Sequence, residues 1–323
     1  MTASRRAVLE RAGITTVAVA TAGRLTIDAG TTSDDEPPEF SRWLSPEDVV
    51  EFTFVDWASV EEDVRGELEQ AQADEEIDVP PEYENDPMVA PASDGVLSTY
   101  LFVGLDLVEF GLGRLLDDEA FESTVDGLLR TGRAFVATGE IDPDEIDERL
   151  TGEPEFEFVV QMERTDEIGE YDVYTPIDDR EAAIAVGTDA LLVVDEGDDP
   201  RAVLESIVDV AEGDTERATD DSEPFAWLLE TAGHGDVVVG QYGGPFDAED
   251  LVHPALDPLA GAAGFVSSLT LEDEMTSSGT FASVLDDPDE AALEDLLGVS
   301  ADERAIDVDG DRVTATGTWR EVN

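Results

Sequence analysis

Gly233-His234-Gly235-Asp236 is the one stretch of this 323-residue chain in which an imidazole stands two positions from a carboxylate. Residues of those types at that spacing suit a general base with an orienting acid, or a metal ligand held in place by its acid. His234 and Asp236 are therefore the candidate catalytic residues, and a hydrolase is the activity they would serve. No nucleophile pattern accompanies them. The plainer reading is a polar loop between a helix ending at Ala232, with Gly233 as its C-cap, and a strand beginning near Val237. The other histidine, His253, precedes Pro254 and offers less still.

Metal and cofactor chemistry find little to work with. A zinc site wants three or four nitrogen or sulfur ligands, and the chain has two His and no Cys. Asp307-Val308-Asp309-Gly310-Asp311 begins like a calcium loop. Its glycine falls at the fourth position rather than the sixth, however, and Val313 continues a strand rather than a helix. It predicts a hairpin with Asp309-Gly310 as its two-residue turn. Asp117-Asp118-Glu119 and Asp286-Asp287 are solvated acids that attract inorganic cations loosely. Phosphate-loop, dinucleotide and serine-elbow patterns are missing from the sequence. The absence of cysteine removes disulfides, thiolate ligands and a lipid-anchor acceptor. No cofactor and no metal are expected. Trp43, Trp57, Trp227 and Trp319 sit on apolar faces, where packing is their use.

The charge balance says more. Eighty-one Asp and Glu face 17 basic residues, all of them arginine, for a net charge of -64. Such a surface repels itself in dilute buffer. In molar salt the Debye length falls to about 3 Å and the repulsion is screened. With 41% hydrophobic residues in periodic runs, the chain folds rather than remaining disordered. Nucleic acids and anionic membranes are excluded as partners, because both need a basic footprint.

At the N-terminus, Ser4-Arg5-Arg6-Ala7-Val8-Leu9 resembles the twin-arginine export signal. The apolar stretch from Gly13 to Ala22 is too short to span a bilayer, and Ala20-Thr21-Ala22 fits a small-residue cleavage site. Glu10, Arg11 and Arg24 depart from the pattern. Residues 1–22 are thus expected to be a signal peptide, and 23–46 an acidic flexible linker. The exported chain would be soluble, with no integral membrane anchor. The alternative is a cytoplasmic protein in which Arg5 and Arg6 carry no signal.

The remaining sequence alternates strand and helix signals. Strands are expected at Val49–Phe54, Val96–Val103, Ala134–Thr138, Phe156–Met162, Tyr171–Thr175, Ala183–Val186, Leu191–Val194, Val237–Tyr242, Phe265–Leu271 and Thr280–Val284. Helices are expected at Ser59–Ala73 and Asp106–Leu116. Others follow Asp142, with a capping box through Glu145, then Asp199-Pro200 and Asp287, and one runs through Phe225 to Ala232. Residues 75–94, rich in Pro and acid, predict an exposed loop. Asp-Pro-Asp-Glu occurs at 142–145 and 287–290, each time between a Phe-bearing strand and a strand pair, which suggests an internal duplication. The fold class is α+β, with antiparallel sheets built from hairpins and helices packed on one face. A larger unit would cover 47–245, and a smaller one, a partial repeat, 246–323.

Taken together, the leader, the lysine-free acidity and the Asp-Pro helix starts resemble the uncharacterised exported proteins of extremely halophilic archaea. That resemblance implies no activity and carries over no functional residue. The expectation is a salt-adapted exported protein that binds a protein or small molecule without catalysis. The alternatives are an extracellular hydrolase using carboxylates or the His234–Asp236 pair, and a cytoplasmic protein.

Overall fold

The computed structural model describes residues 36–71, 83, 85–117, 119–154, 156–244, 259, 261–273 and 276–320. Twelve strands share one antiparallel sheet. They are β1 (Val50–Asp56), β2 (Thr124–Thr131), β3 (Phe135–Glu140), β4 (Met162–Ile168), β5 (Tyr171–Pro176), β6 (Ala183–Val186), β7 (Ala190–Val194), β8 (Val237–Tyr242), β9 (Ala262–Asp273), β10 (Thr276–Leu285), β11 (Glu303–Asp309) and β12 (Arg312–Arg320). The helices are α1 (Trp57–Ala71), α2 (Ala90–Leu105), α3 (Pro143–Thr151), α4 (Pro200–Glu212), α5 (Ala218–Asp221), α6 (Glu223–Ala232) and α7 (Glu290–Glu294). Short 3-10 turns occupy Glu39–Trp43 and Leu107–Phe110.

The α+β class stands, but helices cover both faces of the sheet rather than one. Every residue of β6 and β7 is buried, so each side of these strands needs a cover. Ile184, Val186, Leu191 and Val193 join a core with Val64 of α1, Phe102 of α2, Ile146 of α3 and Leu293 of α7. Ala185, Leu192 and Val194 point the other way, toward Leu204 of α4 and Phe225 and Leu229 of α6. Period-2 alternation assigns the two sets to opposite faces.

The sheet order is β11-β12-β10-β9-β8-β1-β2-β3-β7-β6-β5-β4. The boundary expected between 245 and 246 therefore does not divide two domains, since β8 and β9 are hydrogen-bonded neighbours. The strand order is nonetheless similar on the two sides of the centre. From the central β1–β8 pair, the meander β8-β9-β10 runs outward, passes through α7 and returns as the hairpin β11–β12, with β11 at the edge. The meander β1-β2-β3 runs outward on the other side, passes through α3 and returns as β4–β5, with β4 at the edge. The β6–β7 hairpin is inserted between β5 and β3.

The two tetrapeptides do not start their helices at the same position. Asp142 caps α3 by accepting from Asp144 N and Glu145 N, whereas α7 is capped by Asp289, which accepts from Ala292 N. Asp287 precedes it at φ 52°. Glu145 does not close the expected capping box either. Its carboxylate accepts from Glu122 N at 2.9 Å, Ser123 N at 2.9 Å and Ser123 Oγ at 2.8 Å. Ser123 Oγ in turn accepts from Asp142 N at 3.0 Å. At the last hairpin Asp309 pairs with Arg312, so the turn is Gly310-Asp311, with Gly310 at φ 68°.

Four further expectations are corrected. The linker expected over 23–46 does not hold for residues 38–46, because Phe40, Trp43 and Leu44 are buried in the second core, and residues 23–35 lie outside the described residues. The exposed loop expected over 75–94 does not hold for residues 86–94, because Asp86, Met88 and Val89 are fully buried, and residues 75–82 and 84 lie outside the described residues. Val96–Val103 is helical, within α2. An eight-residue apolar run does not distinguish a buried strand from a helix buried on most of its faces. Gly95 marks where α2 meets the sheet, since a Cβ there would lie 2.8 Å from Thr53 Cγ2 and 2.9 Å from Val239 Cγ2. The helix over Asp106–Leu116 is only a 3-10 turn, broken at Gly111 with φ 76°.

Candidate functional site

The structure does not assemble the His234–Asp236 pair. His234 follows α6 and is exposed, with Nε2 3.2 Å from the carbonyl oxygen of Glu36. Asp236 turns inward at the start of β8. Its Oδ2 accepts from Leu271 N at 2.7 Å, and its carbonyl accepts from Asp56 N at 2.7 Å. Burial pushes its carboxyl up, opposed by the Leu271 N–H and aided by the nearby Asp56 carboxylate. Asp236 is thus a clamp joining the ends of β1, β8 and β9, while His234 meets the segment entering the fold. A base and its orienter must share a hydrogen bond, and among the described residues these two make none with each other. His253 and the export-signal residues Arg5, Arg6, Ala20 and Ala22 lie outside the described residues.

Among the described residues no group of three or more His, Cys, Asp or Glu is arranged to hold a metal ion. Asp117 is occupied by Arg114 and by the Glu119 N–H, which hold its carboxyl below the usual range. Nor, among the described residues, is any helix long and apolar enough to cross a membrane.

One cavity, of about 260 Å³, opens where the chain enters β1. Trp43, Leu44, Val50 and Ile207 form its apolar side. Glu47 and Arg133 stand at its rim, paired at 2.6 Å. Among the described residues Ser45 Oγ, buried there, has no hydrogen-bond partner. The volume falls below the range of about 300–1,000 Å³ usual for ligand pockets. Sequence reasoning missed it because it lies where a linker was expected. Beside it, Asp189 accepts from Tyr171 Oη at 2.8 Å and from Arg42 Nη2 at 3.1 Å. Burial and that hydrogen bond push the Tyr171 phenol well up.

The most distinctive surface lies elsewhere. Five of the six large hydrophobic side chains left exposed among the described residues are Leu105, Val108, Phe156, Phe158 and Ile177. They sit on three segments joined by backbone hydrogen bonds, Val160 N to Glu109 O at 2.6 Å and Ile177 N to Gln161 O at 3.1 Å. Phe156 and Phe158, at 58% and 53% exposure, stack on each other with centroids 5.4 Å apart and rings inclined by 16°. The sequence predicts a strand here from the alternation Phe156, Phe158, Val160, Met162. The backbone instead turns, with Val159 N bonding to Phe156 O at 3.1 Å, and β4 begins only at Met162. Val160 and Met162 are buried while both Phe rings stay outside.

The class defined by this architecture is α+β, one antiparallel sheet with helices on both faces. No family model matches the chain, and no curated protein matches it significantly. Among solved structures it is similar to two crystal forms of TP0453, a spirochete protein. The TM-scores are 0.45 and 0.41 at 12% identity, covering 88% of this chain and 94% and 93% of the other. No residue's role is carried across a likeness of that degree.

Proposed function

We propose that this chain is a salt-adapted protein, exported by the twin-arginine route, that acts by binding another polypeptide and catalyses no reaction. The observation that carries the binding reading is the exposed, stacked Phe156–Phe158 pair, with Leu105, Val108 and Ile177 exposed on the two segments whose backbones bond to its own. Scattered apolar residues are ordinary on a protein surface, whereas a joined set points to an interaction site. Salts excluded from protein surfaces strengthen the burial of such a face. The resemblance of residues 4–9 to a twin-arginine leader supports the export half of the proposal.

A photo-crosslinking side chain at position 158, with a second at Val299 as control, tests the binding half in the native host at its own salt. An adduct of defined mass at position 158, absent at 299 and lost in Phe156→Ser, is the expected result. Equal adducts at both positions, or none at 158, would overturn it.

A further inference from the structure

We infer that the segment bound at the Phe156–Phe158 face is cationic and amphipathic, carrying Arg or Lys between apolar residues. This rests on the reading of that face as a binding face and adds the partner's chemistry to it. The three segments that carry the apolar side chains also carry Glu157, Asp178, Asp179 and Glu181, all exposed. Arg180 is the basic residue of the 177–181 segment, and it is already held by Glu109 at 2.9 Å and Asp178 at 3.7 Å. Glu157, Asp179 and Glu181 form no ion pair or hydrogen bond among the described residues. β4, the edge strand that follows the aromatic turn, adds the exposed Glu163 to this border, whereas its Asp166 and Glu167 are already paired, with Arg201 at 2.6 Å and Arg164 at 2.7 Å.

An apolar centre with an unneutralised acidic rim selects its partner twice. Burial of the Phe rings supplies the attraction, and the rim rejects any partner that brings more acid against it. A second copy of this chain would set one acidic rim against another, and an anionic lipid surface would do the same. Molar salt weakens this discrimination at a distance but not within a contact. The Debye length there is about 3 Å, while partly dehydrated pairs in direct contact are screened much less. Extended across three segments rather than enclosed in one cavity, the face suits a stretch of polypeptide.

The test uses the full chain in molar KCl and two short synthetic peptides, one alternating Leu with Arg and the other Leu with Glu. Binding is read by fluorescence anisotropy. The Leu-Arg peptide is expected to bind at least about tenfold more tightly than the Leu-Glu peptide. Phe156→Ser/Phe158→Ser should abolish that binding without lowering the melting temperature. Glu157→Gln/Asp179→Asn/Glu181→Gln should retain the binding while losing the preference between peptides. Equal affinity for both peptides, lost in the Phe variant, would overturn the cationic partner and leave the binding face standing. Self-association lost in the Phe variant, with neither peptide bound, would replace the inference by a second copy of this chain. If neither peptide binds, the chain stays monomeric and it does not float with anionic vesicles, both the inference and the binding face fall.

Discussion

The carboxylate of Asp86 and the hydroxyl of Ser300, 214 positions apart, are joined by a 2.6 Å hydrogen bond. Asp86 is completely buried. Its oxygens also accept from Met88 N at 3.1 Å, Gly298 N at 3.0 Å and Ser300 N at 3.0 Å. Ser300 Oγ accepts in turn from Trp319 Nε1 at 2.9 Å. One acid thereby pins the chain entering α2 to the turn after α7 and to β12. A buried carboxylate needs such donors, because an unpaired one is costly to remove from water.

Asp86→Ala leaves those donors facing an apolar methyl group. Four donors lose their acceptor at about 1–3 kcal/mol each, so a loss of at least about 4 kcal/mol is expected in urea unfolding at molar salt. Asp86→Asn should fall between, since one oxygen still accepts. A change under about 1 kcal/mol in the alanine variant would show that the cluster does not hold these elements together.

Glu145 links stability to acid pH. Burial pushes its carboxyl up, but the Glu122 and Ser123 N–H groups, the Ser123 hydroxyl and the charge of Arg149 together bring it below its ordinary value of 4.5. A depressed folded-state pKa gives stability that is present above the unfolded value and lost as pH falls through the folded one. Glu145→Gln should therefore cost about 1 kcal/mol near neutrality, since the site is partly solvated and the amide oxygen still accepts. The difference from the parent should shrink as pH drops below 4.5. A gap that stayed constant through that window would contradict the assignment.

Asp236 behaves in the opposite sense. Its raised pKa means that ionisation opposes folding, and the penalty is relieved as pH falls through the folded value toward the ordinary 3.8. Asp236→Asn keeps an oxygen for the Leu271 N–H and removes the charge facing Asp56. Its melting temperature should equal or exceed the parent's at neutral pH, with any gain gone in acid below 3.8. A less stable variant at neutral pH would show that the charge is needed.

Salt should stabilise the whole molecule. With a net charge of -64, self-repulsion falls as the Debye length shortens. The melting temperature is expected to rise with KCl or NaCl into the molar range. A melting temperature independent of salt would contradict the screening argument.

Export is tested by fractionating the native host with the parent and with Arg5→Lys/Arg6→Lys. The parent is expected outside the cytoplasm, beginning at Gly23, and the double variant inside. If both remain cytoplasmic with the N-terminus intact, the leader reading fails and the partner must be sought inside the cell.

Much of the fold was legible because several signals are local. Asp142 and Asp199 cap helices as their sequence context predicts, through side-chain bonds to N–H groups within the next three residues. Gly213 ends α4 in the left-handed conformation. The apolar run 237–242 forms a central strand because it carries apolar side chains for both faces. β2 escaped notice because Asp126, Gly127 and Arg130 interrupt its alternation. β4 was missed because Glu163, Arg164, Thr165, Asp166 and Glu167 are all exposed at the sheet edge, where neither face has to be apolar. The candidate pair His234–Asp236 failed for a related reason. Nearness in sequence does not decide where two side chains point, and Asp236 was captured by Leu271 N from a neighbouring strand.

By itself, then, the sequence determined the charge, the α+β class and most helix starts, because composition and short-range hydrogen bonding decide these. Only the tertiary structure decided that a single sheet runs through both expected units, that helices cover both of its faces, and that Asp86 is buried. It alone left the Phe156 and Phe158 rings outside while Val160 and Met162 went in. Those outcomes depend on partners far apart along the chain, and no local pattern of apolar and polar residues specifies which distant surface will arrive to cover them.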